Sequence, residues 1–313
     1  MTVNAKDNPS VSLVRINEGR IKSEEELITE IEHLYTGTRN LDTRELGQKN
    51  LVYFTINSDY KYIELFIYCL RSVIKNSKEL DFDLLVICPE EFEKRINELI
   101  KENNISLLGI NLHFFRVDMS VDGVQASMNK LLIYKWELIK EYRRVLFLDV
   151  DILARSDISE LFKLELNPCK LYSTIHNLSQ HLHQTVFHKL ISYSTDKMTE
   201  FRDNSIFAFN AGQFLFVNSD LMLQHFHNVH LISREWSGSY FFEQSFMNHY
   251  FNWFCISDAV LLFDKIQFLS VHMGERALTV LNKDAPILMH FAGHACNAEK
   301  KIEFIKTFFF KLI

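Results

Sequence analysis

The strongest constraint on this chain is an alternation between residues 50 and 151, where short apolar runs are separated by segments of helical period. NLVYFTIN (50–57), DLLVICP (83–89), NLHFFRV (111–117) and RVLFLDVD (144–151) have the length and continuous apolarity of strands buried on both faces. Between the first two, Ile63, Phe66, Ile67, Leu70, Val73 and Ile74 recur on one helical face, and EEFEKRINELIKE (90–102) forms the next amphipathic segment. ASMNKLLIYKWELIKEY (126–142) reads as a third helix. Strands joined through helices of this length imply βαβ crossovers and a parallel sheet covered on both sides.

The second half is less regular. KLYSTIH (170–176), AGQFLFVNS (211–219) and PILMHF (286–291) are strand-like, SYFFEQSFMNHYF (239–251) is helical, and a closing helix starts near Ala298. Residues 1–48 form a polar extension in which Ser23 and Glu26 make a capping box before Leu27, Ile28, Ile31 and Leu34. With 27 Phe but only 9 Gly and 4 Pro, the chain has material for a core and little for flexible linkers.

Charge and cysteine usage narrow the function classes. The 34 Lys+Arg against 40 Asp+Glu give a net charge of −6, which argues against a general nucleic-acid binder. Five scattered cysteines with no C-x-x-C spacing fit neither a disulfide framework nor a cysteine zinc site. The N-terminus MTVNAKDNPS lacks a signal-peptide core, and no run reaches the length of a membrane span, so a cytoplasmic protein of bacterial, viral or host-cytosolic origin is expected.

Asp149 and Asp151 carry the most chemical information. Two apart at the end of an apolar strand, they are expected to face the same way at the carboxyl end of a parallel sheet, where such sheets place ligands. Their mutual repulsion is relieved by a raised pKa or a bound cation, and oxygen ligands suit Mn²⁺ or Mg²⁺. Two enzyme classes place D-x-D there. Haloacid-dehalogenase-like phosphatases would use Asp149 as nucleophile, but their motif continues with Gly and Thr where this chain has Ile152 and Leu153. Nucleotide-sugar glycosyltransferases use the pair to hold a metal on the donor diphosphate.

The span from about residue 50 to 295 resembles the retaining glycosyltransferases of family 8, the glycogenin and lipooligosaccharide galactosyltransferase group. The resemblance rests on LVYFTINSDYKYIELFIYCLRSVIKNS (51–77), SMNKLLIYKWELIKEYRRVLFLDVDILARSDISELF (127–162), FNAGQFLFVNS (209–219), EQSFMN (243–248) and HFAG (290–293), in that order. It implies a GT-A fold, an α/β architecture with a mixed, mostly parallel central sheet flanked by helices. Residues 49–313 would form one domain: 49–151 the nucleotide-binding half, 152–297 the acceptor half and 298–313 a C-terminal helix. The implied activity is metal-dependent transfer of a hexosyl unit from a nucleotide sugar, UDP-linked, to a hydroxyl of a glycan, lipid or protein, with retention. A non-catalytic sugar-nucleotide-binding scaffold on the same fold is the alternative.

By the same resemblance, Thr55, Asn57 and Tyr60 hold the nucleoside, and Lys130 contacts the donor. Asp149, Asp151 and His290 bind the metal. Asn210, Ala211 and Gly212 lie beside the transferred sugar, Glu243 and Gln244 lie near the reacting carbon, and Gly293 is in the diphosphate loop. The chain departs from the family in two places. Glu243 stands where Asp is usual, and HACNAEKK replaces the Lys-Pro-Trp that commonly follows H-F-x-G, leaving Lys300 or Lys301 to substitute.

Outside these motifs the readings are plainer. Lys130, taken alone, is a surface lysine on an amphipathic helix, and His290 a packed histidine. His176, His181, His183 and His188 do not match a zinc spacing and read as a solvated or acceptor-facing loop. The C-terminal KKIEFIKTFFFKLI reads as a helix packed on the body, with peripheral membrane contact as the other reading.

Overall fold

The computed structural model describes residues 29, 32–175, 208–235, 243–269, 286–292 and 298–312. The Ser23–Glu26 capping box and the four histidines between 176 and 188 lie outside the described residues.

The first half folds as the alternation dictates. Strand β1 (Lys49–Thr55), helix α1 (Lys61–Asn76), strand β2 (Phe82–Cys88), helix α2 (Glu90–Glu102) and strand β3 (Leu112–Arg116) follow one another. In β1, Leu51 and Tyr53 enter one core while Val52 and Phe54 enter the core on the opposite face. That two-sided burial is why the strand is apolar throughout rather than alternating. Helix α2 begins after Pro89, which cannot continue an upstream helix, and carries Glu90, Glu91 and Glu93 in its first turn, where carboxylates complement the helix dipole.

The expected third helix over 126–142 is not continuous. A short helix α3 (Gly123–Met128) passes into 3₁₀ turns at Asn129–Lys135 and Glu137–Glu141, separated by an extended Trp136 with ψ of 122°. Ile133, Trp136, Ile139 and Tyr142 are all buried and recur every third residue. That is the period of a 3₁₀ helix, and a pattern sought at 3.6 residues does not separate the two.

Strand β4 (Tyr142–Leu148) pairs parallel to β1, and the turn after it leads into β5 (Ile152–Ala154) and the single-turn helix α4 (Ser159–Phe162). Strand β6 is only Leu171–Tyr172, shorter than the run 170–176 suggested, though a bridge pairs Ile175 with Phe209 beyond it. Then come β7 (Gln213–Val217), α5 (Asp220–Glu235), α6 (Glu243–Trp253), β8 (Ser257–Asp258), β9 (Ile266–Phe268), β10 (Leu288–His290) and α7 (Ala298–Leu312). The seven-stranded sheet has the order β3-β2-β1-β4-β7-β6-β8. Its first four strands are parallel and β7 runs antiparallel to β4. A smaller sheet, β5-β10-β9, begins directly after β4.

Helix α7 docks on α1. Ile302, Ile305, Phe308 and Phe309 are buried, and ion pairs Lys61–Glu299 (2.6 Å) and Lys306–Glu64 (2.7 Å) join the two helices. Among the described residues no helix is long and apolar enough to cross a membrane.

Candidate active site

The site forms where β4 ends and the antiparallel β7 begins. The backbone N–H of Asp149 donates to the carbonyl of Gly212 at 2.7 Å, fixing the end of one strand against the start of the other. Asp149 and Asp151 do not share a strand, contrary to the expectation. Strand β4 stops at Leu148, and residues 149–151 turn from the large sheet into the small one. The carboxylates converge because of that turn, not because of strand alternation.

His290 reaches them through the small sheet. It ends β10 opposite Ile152 of β5, and the N–H of Phe291 donates to the carbonyl of Asp151 at 3.0 Å. Its Nε2 lies 3.3 Å from Asp151 Oδ1. One ligand atom from each of Asp149, Asp151 and His290 falls within 4.8 Å of the others. Gly212 makes this approach possible. A Cβ there would lie 2.4 Å from His290 Cε1, 2.8 Å from Asn210 Oδ1 and 2.8 Å from Asp149 Oδ2.

These residues fit a divalent cation. Asp151 Oδ1 and His290 Nδ1 are buried without hydrogen-bond partners, which is costly for polar atoms. Two carboxylate oxygens and an imidazole are a donor set for Mn²⁺ or Mg²⁺.

Two lysines balance the acids. Lys130 is buried rather than a surface lysine. Its Nζ sits 3.2 Å from Asp149 Oδ1, 2.6 Å from Glu243 Oε1 and 3.0 Å from the Ala211 carbonyl, with the Phe147 ring centroid 4.6 Å away. Lys301 Nζ, from the first turn of α7, bonds Asp151 Oδ2 at 2.6 Å. Loss of hydration and the repulsion of Asp151 raise the Asp149 carboxyl above the usual carboxylate range, against the pull of Lys130. Burial acts on Asp151 in the same direction, but Lys301 and His290 outweigh it and hold this carboxyl well below the usual range.

The segment Asn210–Gly212 is held from several directions. Asn210 Oδ1 accepts from the Gly212 N–H (2.7 Å), and Gln244 Oε1 accepts from the Ala211 N–H (3.0 Å). Asn248, one turn further along α6, accepts from the N–H of Phe209 and donates to its carbonyl, both at 2.8 Å. Helix α6 thus brings Glu243 to Lys130 and Gln244 to Ala211.

The structure places the expected nucleoside residues in the loop after β1. Thr55 is half-buried at the strand end. Asn57 is buried and occupied with the loop: it accepts from Ser58 N (2.7 Å) and Ser120 N (2.8 Å) and donates to Asp118 O (3.0 Å). These bonds support Ser58 at a φ of 70°. Tyr60 is 54% exposed, its ring 4.5 Å from that of Phe92. Gly293 lies outside the described residues.

Sequence reasoning missed Tyr62 and Asn248. Burial raises the Tyr62 phenol pKa, and its hydroxyl feels the charges of Lys301, Asp151 and Asp149. No local pattern marks a tyrosine of α1 as lying within electrostatic reach of these groups. Asn248 closes the EQSFMN motif, and its spacing from Gln244 puts both on one helical face, but its hold on Phe209 depends on a segment distant in sequence.

A model of the family described as Glycosyl transferase family 8 matches residues 52–295. No curated protein matches the sequence. Among solved structures, the WbbM bifunctional glycosyltransferase in its apo form is 16% identical, with a TM-score of 0.53 over 87% of this chain and 52% of that one. GlyE of Streptococcus pneumoniae TIGR4 is 15% identical, with a TM-score of 0.51 over 85% of this chain and 64% of that one. Mouse xyloside xylosyltransferase 1, apo form, is 15% identical, with a TM-score of 0.50 over 80% of this chain and 98% of that one. At these identities the likeness is one of fold, and the chain spans about half the length of WbbM.

Proposed function

The chain belongs to glycosyl transferase family 8 and is a glycosyltransferase of GT-A fold, and from that premise we propose that it transfers a hexosyl unit from a UDP-sugar to a hydroxyl acceptor, metal-dependently and with retention. The observation that carries this reading is the convergence of Asp149, Asp151 and His290 within 4.8 Å around a glycine that leaves no room for a side chain. Family membership leaves the phosphatase reading of Asp149 without support.

Asp149, Asp151 and His290 would hold the cation, which supplies Lewis-acid stabilisation to the departing diphosphate. Lys130 adds a fixed positive charge in a site largely closed to water, where such a charge is effective. Thr55, Asn57 and Tyr60 would hold the nucleoside, and Gly293 the diphosphate. Asn210, Ala211 and Gly212 would line the sugar, kept in place by Gln244 and Asn248. Gln244 Nε2 is buried without a partner and is available to a sugar hydroxyl.

Glu243 is tied to Lys130 at 2.6 Å, so its carboxylate is held in place where a nucleophile would need to move onto the sugar carbon. This favours front-face attack. The acceptor oxygen bonds the anomeric carbon as the bond to the diphosphate oxygen breaks, and that oxygen takes the acceptor proton. Glu243 and Gln244 then orient the sugar and stabilise its positive charge.

The test is a thermal-shift series with UDP, GDP, CMP and their sugars, with and without Mn²⁺. The expected result is stabilisation by UDP or a UDP-sugar that disappears with chelator and in Asp151→Asn. Absence of a shift with every nucleotide, in folded protein, would overturn the reading.

A further inference from the structure

Asp151 is divided between two environments. Oδ1 lies 3.3 Å from His290 Nε2, while Oδ2 is held by Lys301 at 2.6 Å. The Lys301 side chain is 15% exposed and the Asp151 side chain 9%.

The helix of Lys301 has other anchors. Helix α7 is fixed on α1 by Ile302, Ile305, Phe308 and Phe309 and by two other ion pairs. A buried ion pair loses hydration on both sides and is weak evidence of a stability role.

The charge balance suggests what it does. Three carboxylates (Asp149, Asp151, Glu243) meet two ammonium groups (Lys130, Lys301). Lys130 is caged by Asp149, Glu243, the Ala211 carbonyl and the Phe147 ring. Lys301 extends from a first turn, on a flexible four-carbon stem.

We propose that Lys301 is an internal counter-ion of the metal site, resting on Asp151 Oδ2 in the free protein and turning to the diphosphate when the nucleotide binds. The inference rests on the metal-dependent reading above. In the free protein Lys301 competes with a divalent cation for the charge of Asp151, so the metal alone binds weakly. A diphosphate offers the ammonium other oxyanions and relieves its repulsion with the metal. Metal and nucleotide therefore strengthen each other's binding, and by linkage the factor is the same in both directions.

The experiment measures Mn²⁺ affinity by electron paramagnetic resonance of free Mn²⁺, without and with saturating UDP. It compares the unaltered protein with Lys301→Met, Lys301→Arg and, as a control for loss of a surface charge, Lys94→Met on the exposed face of α2. In Lys301→Met, Mn²⁺ alone is expected to bind several-fold tighter, and the gain from UDP to shrink by at least about fivefold, the lower end of ordinary coupling between sites. Lys301→Arg and Lys94→Met should keep the original coupling. An unchanged Mn²⁺ affinity and an unchanged UDP effect in Lys301→Met would overturn the proposal. If Lys301→Met does not fold, Lys301→Gln, which keeps a donor for Oδ2 without the charge, gives the same comparison. Failure of the unaltered protein to bind Mn²⁺ in either condition would instead overturn the metal-dependent reading itself.

Discussion

Lys130 Nζ lies 2.6 Å from Glu243 Oε1, joining the 3₁₀ segment before β4 to the first residue of α6. Both side chains are almost wholly buried, at 3% and 8% exposure. Truncating one partner leaves the other charged and unpaired in the interior. Lys130→Met is expected to lower stability by about 3–5 kcal/mol and to abolish transfer. Denaturant melts read the first effect and donor turnover the second. A variant of unchanged stability would show that the pair is solvated.

Gly212 has no left-handed backbone requirement, so Gly212→Ala acts through contact alone. The new methyl would press on His290, Asn210 and Asp149. The expected cost is about 1–3 kcal/mol, as for other overpacked sites, with loss of Mn²⁺-dependent stabilisation by UDP. Thermal shift reads both, and retained Mn²⁺ dependence would show that the three side chains can spread without losing the ion.

Asn248 satisfies both backbone groups of Phe209, the residue before Asn210. In Asn248→Ala a buried N–H and a buried carbonyl lose their partners, at about 1–3 kcal/mol each. Urea unfolding should show the loss, and turnover should fall further than stability alone explains because Asn210 is no longer held. Wild-type turnover in a destabilised Asn248→Ala would separate the clamp from the chemistry.

Two buried histidines on the second face of the sheet set an acid limit. Burial lowers His225 to about 4 and His249 to about 3, below the 6.5 of a free imidazole. Between 6.5 and those values the unfolded chain binds more protons than the folded one. Their contribution is therefore complete above pH 6.5 and is lost as pH falls, at up to about 1.4 kcal/mol per pH unit for each histidine. Urea midpoints from pH 7 to 5 should drop accordingly, and less steeply in His225→Gln. Equal slopes in the two proteins would place the acid sensitivity elsewhere.

Much of the first half was legible in sequence because its signals are local. The apolar runs and the helical face from Ile63 to Val73 announce β1, α1 and β2 nearly to the residue. The 126–142 segment misled because i,i+3 burial resembles a helical stripe until Trp136 is seen extended. For the site, the D-x-D and F-N-A-G motifs pointed to residues that the fold does bring together, but not to the means. The convergence depends on a turn between two sheets. Lys301 reaches Asp151 across 150 positions of sequence, a distance at which no periodicity carries information. The burial of Lys130 likewise follows from partners in the turn after β4 and on α6 that the amphipathic pattern of its own segment does not encode.

The bridge between Ile175 and Phe209, with the Asn210 N–H donating to the Thr174 carbonyl at 2.9 Å, closes the chain on itself at the edge of the site. The hold of Thr174 on Asn210 is made by main chain alone, so no exchange of side chains at Thr174 or Asn210 removes it. Only a residue without an N–H undoes it, which makes proline the one substitution at 210 that acts through the backbone.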